Sequence, residues 1–244
     1  MTAAIRRLPS ASYASVERLF DAFDFQQAHF GSVLDGSLPG RVFVSGDADG
    51  GNGPASACIM PDEGFLYLGG RPSASFIEAL SGVLHEGSAT ECIEAFWMHE
   101  GWAALVTALS PDGKSAIMNR RLYRLSPDSP LRTAGSAAAD PRVVVEWKPG
   151  FLSARVELDG RVASECRGLV RQGHAEIDIE TEESCRRQGL GRRVAQAFIA
   201  ACVMRGVEPQ WNCWDFREES CALAEALGLG LLREHRVFLW DKYL

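Results

Sequence analysis

Apolar residues recur at two different spacings along this chain. Near the N-terminus, Tyr13, Val16, Phe20 and Phe23 follow the spacing of one helix face, which predicts an amphipathic helix. Short apolar runs typical of strands follow, with helical segments between them. The further elements predicted in the first half are strands at residues 41–44, 55–60, 65–68, 92–97 and 117–125 and helices at residues 75–85 and 102–109. This order predicts a mixed α/β N-terminal domain.

The segment of residues 126–141 separates two differently patterned halves. It consists mainly of small and polar residues and is interrupted by prolines. Such a stretch buries little apolar surface and is typical of a domain boundary. We therefore predict an N-terminal domain at residues 1–125, a linker at 126–141 and a second domain at 142–244.

The second half alternates more regularly. Strand 175–181 places Ile177 and Ile179 between acidic residues, so it has one apolar and one polar face. A helix is predicted from Leu190 onward because its apolar residues keep one face, and Gly206 ends it. The other elements predicted here are strands at residues 143–146, 153–158, 162–166, 210–214 and 231–240 and a helix at residues 220–227.

Composition places the chain among ordinary soluble globular proteins. Of its 244 residues, 46% are hydrophobic and 23% are charged. The longest apolar runs are much shorter than the roughly 20 residues that cross a bilayer, and the first ten residues contain no apolar signal core. These features predict a cytoplasmic protein with no membrane partner.

Cysteine count and net charge exclude further classes. The seven cysteines are widely spaced and include no Cys-x-x-Cys pair, which argues against a disulfide framework and against a structural metal site. The formal net charge of −7 disfavours nucleic acid as a partner, because binding phosphates requires a basic surface. It suits a cationic small substrate somewhat better.

The turn between strand 175–181 and the helix that follows carries the chemistry. Its residues are Arg186-Arg187-Gln188-Gly189-Leu190-Gly191. The N–H groups that open a helix are unpaired and lie at the positive end of its dipole, so an anion docks there. Glycine lets a phosphate approach the backbone closely. Four arginines within eight residues at a helix start oppose the helix dipole, and a bound polyanion would account for them.

Other interpretations of this turn stay open at the level of the motif. The glycines could simply shape a turn, with the arginines facing solvent or paired with Glu182 and Glu183. Two other phosphate motifs fit less well. A Walker loop requires Gly-Lys-Ser/Thr and a dinucleotide fingerprint requires Gly-x-Gly-x-x-Gly, and the turn contains neither.

Residues 176–191 resemble the strand, pyrophosphate turn and helix start of the GNAT N-acetyltransferase superfamily. Residues 206–214 and 220–229 are similar to the next strand of that family and to the helix that follows it. The segments similar to a narrower bacterial subfamily, which includes the zwittermicin A resistance acetyltransferase, are residues 39–44, 64–70 and 209–214.

The resemblance implies an α+β fold, with a mixed central sheet flanked by helices as in other GNAT acyl-CoA N-acyltransferases. A smaller mixed α/β domain would precede it, with a degenerate GNAT-like half as one alternative. The implied cofactor is acetyl-CoA as co-substrate, with its pantetheine arm along strand 175–181. The residues implied to bind it are Ile179, Thr181, Arg186, Arg187, Gln188, Gly189, Leu190, Gly191, Arg192 and Arg217.

The resemblance also implies direct attack of a neutral amine on the thioester. The backbone N–H of Ile179 is the expected oxyanion donor. Glu176, Asp178 and Glu180 share one face of their strand, and Glu180, nearest the turn, is the candidate base. Each could equally belong to a solvated strand face. The candidate acceptor-pocket residues are Trp211 and Trp214, which could instead fill the core.

Some positions depart from the family pattern. Arg217 stands about where many members have Asn, and the following helix contains no Tyr to serve as an acid for the departing thiolate. The function implied is acetyl transfer to a primary amine of a small molecule by a monomer or homodimer. The alternatives are an acyl-CoA sensor, an inactive GNAT-like protein and a protein N-acetyltransferase.

Overall fold

The structure is a computed structural model that describes residues 5–46, 53–62, 64–86, 92–110, 112–132, 140 and 142–241. Its strands are β1 (Ile5–Arg7), β2 (Gly40–Ser45), β3 (Ser56–Pro61), β4 (Phe65–Gly70), β5 (Cys92–Trp97), β6 (Ser115–Leu125), β7 (Val144–Lys148), β8 (Phe151–Leu158), β9 (Arg161–Arg171), β10 (His174–Thr181), β11 (Glu208–Trp214) and β12 (Leu229–Asp241). Its α-helices are α1 (Gln27–Leu34), α2 (Ala74–His85), α3 (Leu190–Met204) and α4 (Glu218–Ala226). No helix in these ranges is long and apolar enough to cross a membrane.

The chain divides into two compact units. The first contains residues 1–119 and 236–244, and the second contains residues 120–235. Strands β6 and β12 each contribute residues to both units.

The first unit contains a meander followed by a parallel crossover. Strands β1 to β4 pair antiparallel in sequence order, and β5 then pairs parallel with β4 after α2. The C-terminal part of β12 pairs antiparallel with β5 and completes the sheet. Apolar residues of α2, including Phe76 and Leu80, pack in a core with Leu66, Trp102 and Phe238.

The second unit repeats this order. Strands β7 to β10 pair antiparallel in sequence, and β11 pairs parallel with β10 after α3. Strand β6 completes the sheet by pairing antiparallel with β11. The core of this unit lies between the sheet and α3, whose Val194, Phe198 and Cys202 are buried. Each unit therefore contains a meander, a helix and a parallel strand in the same order, and the fold is mixed α+β.

The units differ in extent from the domains predicted from the sequence. Predicted domain 1–125 contains all of β6, yet residues 120–125 belong to the second unit, where β6 pairs with β11. Predicted domain 142–244 includes residues 236–244, which belong to the first unit. These long strands carry the chain from one unit to the other, which a composition shift does not reveal.

The described part of predicted linker 126–141 is not free of contacts. Arg132 donates hydrogen bonds to the carbonyl oxygens of Leu125 and Ser126 and to the carboxylate of Glu208. Leu131 is buried in the core of the second unit. Residues 133–139 and 141 of the predicted linker lie outside the described residues.

The N-terminal region shows two further differences from the predicted elements. The expected amphipathic helix is a 3₁₀ helix at Ser10–Phe20, in which Tyr13, Val16 and Phe20 are buried. Helix α1 was not predicted, because all its residues from Ala28 to Leu34 are buried and no polar face marks a helical period.

Candidate functional site

The parallel strands β10 and β11 separate at their C-terminal ends. They pair from His174↔Glu208 to Ile177↔Trp211. Beyond this point β10 continues to Thr181 beside β9, and β11 continues to Trp214 beside β6. The pair Ile177↔Trp211 therefore marks the closed end of an opening between the two strands, which we call the split.

Backbone groups of β10 point into this split. The N–H of Glu182 donates to the carbonyl of Ala163 on the β9 side. Residues along a strand direct their N–H and C=O groups alternately to the two neighbours, so Ile179 and Thr181 direct theirs away from β9. In agreement, the Thr181 carbonyl accepts a hydrogen bond from Arg186 Nε at 3.2 Å, not from β9. The edge at Ile179 is thus arranged to pair with an extended ligand.

The helix α3 begins beside this edge with free N–H groups. Its N-cap is Gly189, with φ of 76°, and among the described residues no side chain caps the helix. The first intrahelical hydrogen bond runs from the Arg193 N–H to the Gly189 carbonyl. Arg187 also has positive φ, and left-handed residues in a tight turn direct successive N–H groups to one side. The turn is therefore built to bind an anion with its backbone.

The apolar face of α3 fixes the position of this turn. Leu190, in the first turn of the helix, is buried together with Val194 and Phe198. Gly191 faces β10, because a Cβ built there would lie 3.3 Å from Thr181 Oγ1 and 3.8 Å from Ile179 Cδ1. Burial of the helix against the sheet thus holds its N-terminus at the end of β10.

The split and the turn open into one cleft of about 690 Å³. Its lining comes from β10, the turn, the start of α3, β11 and α4. The lining residues are Ile179, Glu180, Thr181, Cys185, Arg186, Arg187, Gly189, Leu190, Gly191, Arg192, Trp211, Arg217, Glu219, Ser220 and Leu223. Every residue implied to bind the cofactor except Gln188 is in this lining. Gln188 lies in the turn itself, and its amide donates to the Ser184 carbonyl at 3.3 Å.

The arginines of the turn differ in their partners. Arg193 lies 3.4 Å from the carboxylate of Asp140 and is therefore neutralised. Arg142, and more weakly Arg193, hold the pKa of that carboxyl at about 2. Arg187 and Arg192 have neither an ion pair nor a hydrogen bond within the described part of the chain. The alternative in which the turn arginines pair with Glu182 and Glu183 is therefore not what the structure shows.

The acidic residues of β10 lie on the sheet face opposite α3. Asp178 and Glu180 both approach Arg167 of β9, at 3.0 Å and 3.8 Å. The Glu180 side chain is 75% exposed and lines the cleft, whereas Asp178 is absent from the lining. Of the acidic residues on this face, Glu180 is the one that the structure places beside the split.

The two tryptophans of β11 point to different faces. Trp211 is 2% exposed, lines the cleft and donates from its indole N–H to Ser220 Oγ at 3.0 Å. Trp214 is partly exposed and stacks on Phe216, with the guanidinium of Arg120 over its ring at 4.6 Å. The structure therefore brings Trp211 to the cleft and leaves Trp214 outside its lining.

Sequence reasoning missed two polar residues of the cleft. Glu219 and Ser220 belong to α4, which begins at Glu218, shortly after β11 ends at Trp214. A serine at the start of a helix is ordinarily interpreted as a helix-start residue, so no local pattern marks it. The signal that identifies Ser220 is its contact with Trp211, which is a tertiary feature.

The cysteine of β11 is not suited to act as a nucleophile, and the described residues contain no metal cluster. Cys213 is buried beside Cys221, and burial raises the pKa of its thiol to about 11. Such a thiol stays protonated at neutral pH and is a poor nucleophile. In the described ranges of the chain, no group of three or more His, Cys, Asp or Glu side chains is arranged to hold a metal ion.

The equivalent position of the first unit has a different arrangement. The N-terminus of α2 is capped by Ser73, whose Oγ accepts the Phe76 N–H. Pairing of β4 with β5 continues to Trp97, the last residue of β5. The end of β4 is covered, since a Cβ on Gly69 would lie 2.7 Å from the Phe20 ring. Of the two equivalent positions, the one in the second unit has both the split and the uncapped helix.

The family model for GNAT acetyltransferases matches residues 150–238. This range begins before β8 and ends within β12, so it contains the split, the turn and the cleft. A curated relative, the uncharacterized N-acetyltransferase YdfB of Bacillus subtilis (strain 168), is 25% identical over 261 residues. The alignment covers 96% of this chain and 98% of the relative.

Solved structures share the fold over nearly the whole chain. A GCN5-related N-acetyltransferase-like protein from Streptococcus suis 89/1591 superimposes with a TM-score of 0.67 at 19% identity, covering 96% of this chain and 100% of that one. A tandem GNAT protein from the clavulanic acid biosynthesis pathway gives 0.60 at 12% identity and covers 98% of each chain. At these identities the likeness concerns the fold. Residues 150–238, which contain the cleft described above, are thus similar to GNAT acetyltransferases, and the chain shares its fold with solved GNAT proteins.

Proposed function

We propose that this protein transfers an acetyl group from acetyl-CoA to a primary amine of a small molecule by direct attack. The observation that carries the proposal is the combination of a split between parallel strands with an uncapped helix start directly beside it. A diphosphate fits the helix start, and an extended amide-containing arm fits the free edge of the strand. Coenzyme A contains these two parts in this order.

The residues of the cleft fit the parts of such a ligand. No described side chain caps the N–H groups of residues 190–192, which would bind the pyrophosphate, with Arg187 and Arg192 adding charge. The N–H and carbonyl of Ile179 would pair with the pantetheine amides. Arg186, whose Nε now bonds the Thr181 carbonyl, is within reach of the same anion. Arg217 would contact the ligand from the opposite wall.

Acetyl transfer has three requirements that the protein must meet. The amine must lose a proton, the developing oxyanion needs a donor, and the reacting atoms must be held in line. Glu180 at the edge of the split is the proposed base, and the Ile179 N–H is the proposed oxyanion donor. Asp178 and Glu180 make this face acidic and so favour an ammonium-bearing acceptor.

The arrangement of the first unit indicates how many coenzyme A molecules one chain binds. Its helix start is already capped by Ser73 and its strands are paired to the end of β5, so we expect one coenzyme A per chain. Isothermal titration calorimetry of the full chain measures this number. A value near two would show that the first unit also binds the ligand and that its capped helix start does not prevent it.

Glu180→Gln is expected to lower kcat by about a hundredfold, because a general base contributes on the order of 10²–10⁴. The KM for acetyl-CoA should change little, since the amide keeps the shape of the side chain. Asp178→Asn is the matched control, because it changes the same face and the same partner, Arg167. A larger loss of kcat for Asp178→Asn than for Glu180→Gln would show that Glu180 is not the base.

An acyl-CoA sensor or inactive GNAT-like protein is the second candidate, and it is favoured by the absence of Tyr from α4. Acetyl-CoA added to the protein with a panel of primary amines distinguishes the two. Release of free coenzyme A that depends on the amine supports the enzyme. Thermal stabilisation by acetyl-CoA without amine-dependent release supports the sensor. Turnover with peptide amines but with no small amine would indicate a protein N-acetyltransferase.

The remaining properties proposed from the sequence concern the setting of the enzyme. We propose a cytoplasmic monomer or homodimer that binds neither nucleic acid nor membrane. The resemblance of residues 209–214 to the zwittermicin A resistance subfamily stays a prediction. Acetylation of an amine-bearing antibiotic, followed by mass spectrometry of the product, tests it.

A further inference from the structure

Ser220 lies at the closed end of the split. Trp211 is paired with Ile177 at the closed end of the split, and its indole N–H donates to Ser220 Oγ at 3.0 Å. Ser220 belongs to α4 and lines the cleft together with Ile179 of the facing strand. A ligand that enters the split from the helix start must end here, because the strands are paired beyond this point. The reacting end of the ligand is therefore the part closest to Ser220.

The contact with Trp211 determines what the serine hydroxyl can do. The indole N–H is a donor only, so the Ser220 oxygen is the acceptor in this hydrogen bond. Trp211 is 2% exposed, and its ring is held by the core of the second unit. The O–H of Ser220 remains available as a donor and can rotate to face an acceptor in the cleft.

Cys213 is the competing acceptor for this proton within the protein. Ser220 is within hydrogen-bonding reach of its sulfur. Burial raises the pKa of the Cys213 thiol, so the sulfur is neutral at ordinary pH, and a neutral thiol is a weak acceptor. An anion that arrives in the cleft would be the stronger acceptor, because hydrogen bonds to charged partners are about twice as strong.

Acetyl transfer creates such an anion at the reacting end. The amine nitrogen forms a bond to the acyl carbon, and the bond between that carbon and sulfur breaks. The electron pair of this bond leaves on sulfur as a thiolate, and the nitrogen loses a proton to a base. The thiolate finally takes up one proton, so the products are an amide and free coenzyme A. The helix α4, which should supply a donor to this thiolate in the family pattern, contains no Tyr.

We propose that the Ser220 hydroxyl donates a hydrogen bond to the thiolate sulfur of coenzyme A as it leaves, and so takes the place of the missing acid as a stabilising donor. This inference rests on the proposed function, since it requires coenzyme A in the cleft. Serine does not give up its proton at neutral pH. Its role is to stabilise the anion, and the proton that sulfur finally gains comes from the solvent or from the base.

The test measures the thiol of coenzyme A bound to the full chain. The affinity for coenzyme A is titrated by calorimetry from about pH 7 to about pH 10, a range that brackets the ordinary pKa of a thiol. The proteins are wild type, Ser220→Ala and Ser220→Thr, and desulfo-coenzyme A, which cannot form a thiolate, is the ligand control. Arg217, Glu219, Glu180 and Cys213 surround this position in all three proteins, so their charges act equally in the comparison.

We expect wild type and Ser220→Thr to bind the thiolate more tightly than the thiol, and Ser220→Ala to lose this preference about tenfold. The affinity at the low end of the pH range should be the same in all three, whereas a merely structural role of Ser220 would weaken binding at every pH. With an active acceptor, Ser220→Ala should lower kcat about tenfold or more without raising the KM for acetyl-CoA.

The outcomes separate this inference from the proposed function. No binding of coenzyme A by wild type would overturn both. Binding with the same pH dependence in wild type and Ser220→Ala would overturn the role of Ser220 and leave the acetyltransferase proposal intact. Because Ser220→Ala leaves the buried Trp211 N–H without an acceptor, the midpoint of thermal unfolding is measured alongside. Ser220→Thr, which keeps the hydroxyl, must restore the preference for the thiolate or the inference fails.

Discussion

Gly191→Trp is expected to abolish the thermal stabilisation of this protein by acetyl-CoA. Gly191 is the second residue of α3, and its missing Cβ faces Thr181 and Ile179 at 3.3 Å and 3.8 Å. An indole at this position would fill the space between the helix start and the edge of β10. At a ligand concentration about 100 times Kd, the stabilisation that should disappear is about 2.7 kcal/mol. A thermal-shift titration with acetyl-CoA on both proteins measures it.

The variant should remain folded without ligand. Gly191 has ordinary helical φ, so a side chain strains no backbone, and the three nearest contacts of a Cβ are side-chain atoms. Gln196→Trp is the matched control, because it adds the same ring to the same helix at a partly exposed position outside the cleft lining. It should keep the full response to acetyl-CoA. Equal stabilisation of wild type and Gly191→Trp would refute the proposed location of the diphosphate.

The order of elements around the cleft could be predicted from the sequence. Strand 175–181 was predicted from its alternation, and β10 spans His174–Thr181. The helix predicted from Leu190 is α3, and it ends at Met204, two residues before the predicted stop at Gly206. Both segments have strong periodicity, and Gly206 follows the end of the helix, so local physics determines them. The prediction that the turn binds an anion rests on the same local features.

The pairing of strands could not be predicted in the same way. The register that ends at Ile177↔Trp211 creates the split, yet no residue type marks the position where two strands separate. Likewise, β6 follows β5 in the sequence but completes the sheet of the second unit beside β11. Pairing depends on contacts between residues far apart in the chain, and periodicity contains no information about the partner.

The same limit applies to individual residues of the site. Glu180 was identified because it lies next to the turn in the sequence, and the structure places it in the cleft lining. Ser220 could be found only from the structure. Its Oγ lies 3.0 Å from Trp211 Nε1, and this contact joins residues that are nine positions apart in the sequence. Trp214 was grouped with Trp211 as an acceptor wall. Its ring stacks instead on Phe216, because residues three apart on a strand point to opposite faces.

Gly168→Ala is expected to destabilise the second unit more than alanine at any other glycine that the structure describes in this unit. A Cβ at this position would lie 1.7 Å from the Glu176 carbonyl oxygen and 2.8 Å from its carbon. These are backbone atoms of the neighbouring strand, so no side-chain rotation relieves the overlap and β9 must move away from β10. We expect a loss of more than about 3 kcal/mol in the free energy of unfolding, at the upper end of the range for overpacking.

The measurement is the midpoint of thermal unfolding, which should fall by roughly 6–12 °C for a protein of this size. Gly82→Ala is the control for the exchange itself, because no atom lies within 4 Å of a Cβ there and the residue is in α2. It should raise stability by about 0.5–1 kcal/mol, as expected for replacing glycine in a helix. A Gly168→Ala protein as stable as wild type would mean that β9 can move away from β10 at Glu176 without lowering the free energy of unfolding.

The effect of Gly168→Ala on ligand binding follows from its position. Glu176 immediately precedes Ile177, the last residue of β10 paired with β11. A displacement of β10 at this point moves the closed end of the split and with it the Ile179 backbone that we propose to pair with the ligand. Protein that survives the substitution in folded form should therefore bind acetyl-CoA more weakly, although Gly168 lies outside the cleft lining. Unchanged affinity in the folded fraction would show that the position of the split does not depend on the spacing of β9 and β10.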